Sequence, residues 1–263
     1  MTHLLSDSLV LARRNLAHVR QIPEKLLDVT LQPLMFVVLF AYVFGGVIAI
    51  PDGNYREYLL AGVLVQSITF GVVGPATSIA TDLREGVVDR FRTLPIARGA
   101  YLVGHVLAEL GASAIAITVL SVSGLVIGWG IHGTFFHAVA AYGLILLYAF
   151  SMLWCGMLLG LSVRSPDAAQ GMAFMVLFPT TFVASTFVPI AGLSPVLRFV
   201  ASWNPVSSMA AAVRMLFGNP TGTPPDAAWP LRHAVASSLL WCAGILLVSV
   251  PLAIRAFRAR TRG

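Results

Sequence analysis

Arg84, Glu85, Asp89, Arg90 and Arg92 crowd into nine residues in the middle of a chain that is 57% hydrophobic and only 11% charged. Side chains of both signs at this density suit charge-assisted hydrogen bonds to another protein. Written as a helix, residues 82–94 place Leu83, Val87, Phe91 and Leu94 on one face, at spacings of four, four and three. Pro95 closes that helix, because proline lacks the N–H that would continue the ladder. At about three turns such a helix is marginal alone and needs a surface to lie against. A membrane surface suits a basic amphipathic helix, and a groove on a soluble protein is the other choice. Glu85 and Asp89 favour the groove, where they can pair with Arg or Lys. Plain connection of two spans ranks behind docking.

The second chemical candidate is Glu109. It lies about nine residues, or roughly 13 Å of helix, inside an apolar run. An acid within the membrane is costly and by default suggests function. Pairing with a base, lining a substrate path, shaping a gate and snorkelling to a nearby interface all remain open for it. A phosphate loop needs G-x-x-x-x-G-K-S/T. The chain's only lysine, Lys25, follows "QIPE" rather than glycines. Any nucleotide that drives this protein is therefore bound by another polypeptide. The six histidines are scattered, and the spacing of His132 and His137 without nearby acids argues against a metal site. Neither a Ser-His-Asp set nor paired carboxylates appear, so an intramembrane enzyme has no reactive constellation. Cys155 and Cys242 each sit within an apolar run and read as small buried residues.

The elements that carry these residues follow from the charge pattern. Soluble domains are roughly 25% charged; this chain, with a mean hydropathy of +0.84, belongs in a bilayer. Charge-free runs at about 20 residues per span predict an all-α protein with six transmembrane helices, at about 29–50, 58–81, 101–127, 139–161, 168–189 and 233–254. Residues 110–163 carry no formal charge and are split at "GWGIHGTFFHA". Of the 17 Lys and Arg residues, only Arg56, Arg198, Arg214 and Arg232 fall on one side. The positive-inside rule then puts both termini and the 82–98 stretch in the cytoplasm. The net charge of +6 is explained by these flanks and does not point to nucleic acid.

Between Arg198 and Arg214 the apolar stretch is too short to cross. Two short helices broken at Asn204-Pro205 fit it, because the residue before proline disfavours helix. They either dip into the outer leaflet or lie at the interface, anchored by Trp203. "GLVIG" (124–128) and "GMLLG" (156–160) are small-xxx-small patterns that let helices approach closely, most simply within the subunit.

Taken together, these stretches resemble the membrane subunit of type-2 ABC exporters, the drug and lipid exporter permeases typified by daunorubicin-resistance permeases. "REGVVDRFRTLPIAR" (84–98) is similar to the family's cytoplasmic coupling helix. "LARRNLAHVRQIPEKLLDVTLQPLMFVVLFAYVFGG" resembles its N-terminal interface helix leading into the first span. "FVPIAGLSPVLRFVASWNPVSSMAAAVRML" resembles its outer segment, with Pro189, Asn204, Pro205 and Arg214 at the usual landmarks.

The resemblance implies one domain over 1–263. It begins with a cytoplasmic interfacial helix (1–28), carries a coupling helix (82–98) and an outer re-entrant segment (190–232). It implies that Arg84, Glu85, Gly86, Val87, Asp89, Arg90, Phe91, Arg92 and Pro95 meet an ATPase subunit, present in two copies. ATP and Mg belong to that partner, and this chain binds no cofactor or metal. A second permease subunit is implied, a homodimer in preference to a heterodimer. Tyr42, Gln66, Thr69, Glu109, Phe178, Thr181 and Ser185 would line the path, and Trp203, Asn204, Pro205 and Arg214 the outer gate. Such a path suits a bulky hydrophobic or amphiphilic substrate, drug or lipid-like, exported across a bacterial cytoplasmic membrane. The rival reading is a secondary transporter driven by an ion gradient, with Glu109 as its proton site. It expects further intramembrane charges or repeated halves, and the sequence has neither.

Overall fold

Prolines and glycines decide where the helices of this chain start, bend and stop. The computed structural model describes residues 53–86 and 100–260, with 31, 34, 35, 37–40, 42, 43, 48 and 50. Every regular element among these residues is helical. The described residues between 31 and 43 are helical, and the 1–28 stretch lies outside the described residues. The helices that follow are α1 (Tyr55–Phe70), α2 (Val73–Arg84), α3 (Ala100–Ile127), α4 (Phe135–Ser162), α5 (Pro166–Phe182), α6 (Pro195–Ser202), α7 (Pro205–Phe217), α8 (Trp229–Arg232) and α9 (Ala234–Arg260).

Four of them are long and apolar enough to cross a membrane: α1 and α2 as one unit (Tyr55–Arg84), Tyr101–Ile127, Phe135–Ser162 and Ala234–Arg260. The joint between α1 and α2 falls at residues 71–72. Pro75 stands four residues after Gly71, so it offers no N–H to the Gly71 carbonyl and crowds it with its ring. That is the usual cause of a sharp bend in a helix.

Helix starts follow the capping rules. Ser165 caps α5 by accepting from the Ala168 N–H, and Asn204 caps α7 by accepting from the Val206 N–H. In both, proline occupies the first helical position, where its missing N–H costs nothing. The break expected at Asn204-Pro205 thus separates α6 from α7.

Two expected boundaries differ. The fifth run was expected to be helical over 168–189, but α5 ends at Phe182. Pro179 lies inside it and frees a carbonyl one turn earlier. Beyond Phe182, side chains from α1 and α7 take over the backbone carbonyls. At the other end of the chain, α9 continues past 254 to Arg260.

Packing rests on glycine contacts. A Cβ on Gly156 would sit 2.4 Å from the Val72 carbonyl oxygen and 2.6 Å from Pro75 Cγ, and one on Gly160 would sit 2.2 Å from the Ala76 carbonyl oxygen. This face of α4 therefore receives the bent α2 within the subunit. A Cβ on Gly124 would meet a Leu60 methyl at 2.1 Å, which brings α3 against α1. Gly128 plays a different part from the one its motif suggests. It has open space around it and φ +97, so it ends α3 instead of packing it. The apolar core divides accordingly. One large cluster joins α1, α4, α5 and α7, including Leu60, Tyr148, Leu177 and Phe217. A second joins α2, α3, α4 and α9 near the other end of the bundle, around Ile79, Leu102, Trp154, Met157 and Phe257.

Candidate functional site

The 86–100 end of the bundle carries the charged stretch. Asp82, Leu83 and Arg84 were expected to begin the coupling helix, but they form the last turn of α2. The chain then turns at Gly86, whose φ of +67 is left-handed. A left-handed glycine after the last turn is a helix stop, so residues 82–94 do not form one continuous helix. Arg84 and Glu85 are exposed, and Gly86 is half-buried. Val87, Asp89, Arg90, Phe91, Arg92 and Pro95 lie outside the described residues.

Where the chain returns, Tyr101 in the first turn of α3 donates its hydroxyl to the Asp82 carboxylate. The Tyr101 ring stacks on Phe257 of α9, with centroids 5.9 Å apart and planes 12° apart. Three residues further along α9, Arg260 Nη2 donates to the Val163 carbonyl in the α4–α5 turn at 3.0 Å.

Glu109 is half-buried on α3. Its carboxylate faces α2, with Oε2 3.4 Å from where a Cβ on Gly74 would stand. The remaining residues assigned to the path do not share one surface. Gln66, Thr69, Thr181 and Ser185 are buried, whereas Tyr42 and Phe178 are exposed. Thr69 Oγ1 lies 2.9 Å from the Tyr148 hydroxyl, and Thr181 Oγ1 bonds back to the Leu177 carbonyl at 2.7 Å. What the fold does bring together is a run of aromatic rings. Phe70 packs edge-on to Phe178 at 5.5 Å, Phe178 stacks on Phe182 at 5.8 Å, Phe182 meets Phe187 at 5.7 Å, and Phe187 stacks on Phe40 at 4.5 Å. Phe40 and Phe70 were not foreseen, since nothing in their own segments marks them. Of this run, only Phe178 is among the residues assigned to the path from sequence.

The opposite end of the bundle holds the most polar buried cluster. After α5 the carbonyls of Ser185, Thr186 and Phe187 leave the helical pattern, and each finds a side-chain donor. Tyr58 donates to Ser185 at 2.8 Å, Arg214 Nη2 to Thr186 at 3.0 Å and Tyr55 to Phe187 at 3.1 Å. Arg214 Nε also donates to the Tyr58 carbonyl at 2.9 Å. The guanidinium is fully buried, and no carboxylate among the described residues pairs with it. Its charge is met by carbonyl dipoles and by the face of the Tyr58 ring, a cation–π contact strengthened by desolvation. Gly62 makes the arrangement possible, because a Cβ there would sit 2.0 Å from the Thr186 oxygen.

Asn204 adds a further tie, donating Nδ2 to the Thr180 carbonyl at 2.6 Å while its Oδ1 caps α7. Pro205 opens α7, and Trp203 stands exposed at the end of α6. Tyr55, Tyr58 and Gly62 were not singled out by sequence. A phenol and a gap four residues apart on one helix face, with a lone arginine elsewhere, was the available signal. At the same end, His132 pairs with Glu57 at 2.8 Å, and Asn219 bonds both the Trp129 indole N–H and the Gly130 carbonyl.

Comparison with known proteins gives these features a context. The sequence profile of the ABC-2 type transporter family matches residues 7–217. The daunorubicin resistance ABC transporter permease protein DrrB1 of Streptomyces coeruleorubidus is 31% identical over 239 residues, which cover 91% of this chain and 81% of that protein. The doxorubicin resistance ABC transporter permease protein DrrB of Mycobacterium tuberculosis is 24% identical over 224 residues, covering 82% of this chain and 76% of that protein.

Proposed function

The chain belongs to the ABC-2 type transporter family, and on that premise we propose how it exports and what it carries. It is a multi-pass membrane permease subunit of an ABC exporter, a transport subunit without a phosphate-binding loop of its own. Its fuel is ATP hydrolysed, with Mg, by a separate ATPase subunit bound in two copies. The substrate is a hydrophobic or amphiphilic molecule, drug or lipid-like, moved outward across a bacterial cytoplasmic membrane. Two permease subunits, a homodimer by preference, enclose the path. Each has six spans, with the apolar run at 29–50 and α5 joining the four long helices. Both termini face the cytoplasm, and α6 and α7 form the re-entrant outer segment.

The observation that carries this reading is the charged 84–98 stretch. It leaves α2 at an exposed Arg84-Glu85 pair in a chain that cannot bind nucleotide through a loop of its own. A soluble ATPase that grips this stretch supplies what the chain lacks. ATP-driven closure of the two ATPases would then tilt the permease halves through it.

The test is a tagged pull-down from detergent-solubilised native membranes. The expected result is a near-stoichiometric ATPase with a Walker A loop, lost from Glu85→Arg while the variant stays in the membrane. Recovery of the permease alone, under conditions that keep other complexes intact, defeats the reading. The ion-driven alternative draws on one observation, the half-buried carboxylate of Glu109 between α3 and α2. It requires export without any ATPase.

A further inference from the structure

The two helices that flank the charged connection are tied together at its ends. Asp82 belongs to the last turn of α2, Tyr101 to the first turns of α3, and the phenol donates to the carboxylate between them. Without that bond, a push on residues 86–100 would act on α2 and α3 separately and could splay them. With it, the two helices receive the push as a pair.

The same phenol ring stacks on Phe257. Phe257 is buried among Ile79, Leu102, Val106 and Met157. Arg260 then fastens α9 to the α4–α5 turn. The ends of α2, α3, α4 and α9 thus form one packed block. At the far edge of this block, the Pro75 bend at residues 71–72 separates α2 from α1, whose opposite end carries Tyr58 to Arg214.

We infer that Tyr101 is a positioning residue for energy coupling. Its hydroxyl bond to Asp82 and its stack on Phe257 turn movement of the 86–100 connection into movement of the α2–α3–α9 block as a unit. The inference rests on the reading of 84–98 as the ATPase contact and goes beyond it, because Tyr101, Asp82 and Phe257 lie outside the residues assigned to that contact.

The experiment uses the full permease co-purified with its ATPase in nanodiscs. In a background with Cys155 and Cys242 replaced by alanine, a single reporter, Val196→Cys, stands on the exposed face of α6 at the opposite end. Two quantities are read: ATP hydrolysis, and the change that ATP plus vanadate makes in the rate at which an impermeant maleimide reacts at the reporter. Tyr101→Phe removes only the hydroxyl and keeps the ring on Phe257. It should retain the ATPase and hydrolysis within about twofold while shrinking the reporter response at least about fivefold, the low end of typical coupling energies. Asp82→Ala should do the same, whereas Asp82→Asn, which still accepts from the phenol, should respond as wild type. A full reporter response in Tyr101→Phe overturns the inference, as does loss of the ATPase from that variant, which would mark Tyr101 as a fold or docking residue. If the wild-type complex contains no ATPase, the underlying docking reading fails instead, and the inference falls with it.

Discussion

The guanidinium carbon of Arg214 lies 3.4 Å from the centroid of the Tyr58 ring, with both side chains fully buried. Arginine in this position joins three separate pieces of chain. It extends from α7, bonds a carbonyl of α1 and bonds a carbonyl of the segment that follows α5. A charged side chain tolerated at full burial needs several such partners, because the cost of its desolvation is otherwise several kcal/mol. The residue that resembles an outer-gate landmark in sequence is thus a fastener between α1, α5 and α7.

Removing that fastener should destabilise the subunit strongly. Arg214→Ala leaves the Thr186 carbonyl without its donor, at about 1–3 kcal/mol, and removes the cation from the buried face of Tyr58. Arg214→Lys presents a point charge instead of a planar fork and should recover only part of the loss. Thermal unfolding of the purified protein in detergent reads both. An Arg214→Ala midpoint equal to wild type would contradict the buried clamp.

The glycines of α4 should separate by position. Gly156→Ala and Gly160→Ala force a Cβ into backbone oxygens of α2, and overpacking of this kind costs about 1–3 kcal/mol. Gly143→Ala, on the same helix with nothing within 4 Å of its added Cβ, should be neutral or stabilising by up to about 1 kcal/mol, the helix-propensity gain over glycine. Equal effects at the three sites would mean that α2 does not lie against this face.

Asn204 has two jobs that substitution can divide. Asn204→Asp keeps an oxygen to cap α7 but loses the donor to Thr180. Asn204→Ala loses both, with the cap alone worth about 1 kcal/mol. Limited proteolysis between α5 and α7 should rank wild type, Asn204→Asp and Asn204→Ala in order of increasing susceptibility. An aspartate variant as susceptible as the alanine one would assign no role to the Thr180 bond.

The energy source can be read with a fluorescent hydrophobic amine as the probe, in cells expressing the permease with its ATPase. Collapse of the proton gradient at maintained ATP should leave efflux intact, and ATP depletion at a maintained gradient should stop it. Glu109→Gln should then keep the dependence on ATP. The reverse pattern would transfer the mechanism to an ion-coupled carrier with Glu109 at its centre.

The sequence was most legible where a rule depends on neighbours along the chain. Charge-free runs located the long helices, Asn204-Pro205 marked a real break, and the glycine spacing of 156–160 signalled close packing. It was less legible where partners come from afar. Between 168 and 189 only Pro179 hints that the helix stops at Phe182, because the donors that replace its ladder sit on α1 and α7. The extent of the coupling stretch was misjudged at its start, where the apolar spacing of Leu83 and Val87 continues through a glycine that in fact turns the chain.

Order and composition alone carried the class of this protein: a helical membrane permease without a phosphate-binding loop of its own. Hydropathy, charge and a missing glycine loop are properties of composition and order, and they survive without coordinates. That Arg214 faces Tyr58 and that Tyr101 closes on Asp82 is visible only once the helices are packed together. Each of those contacts joins residues on different helices, and such pairs are selected by burial and by the demand that every buried polar group find a partner.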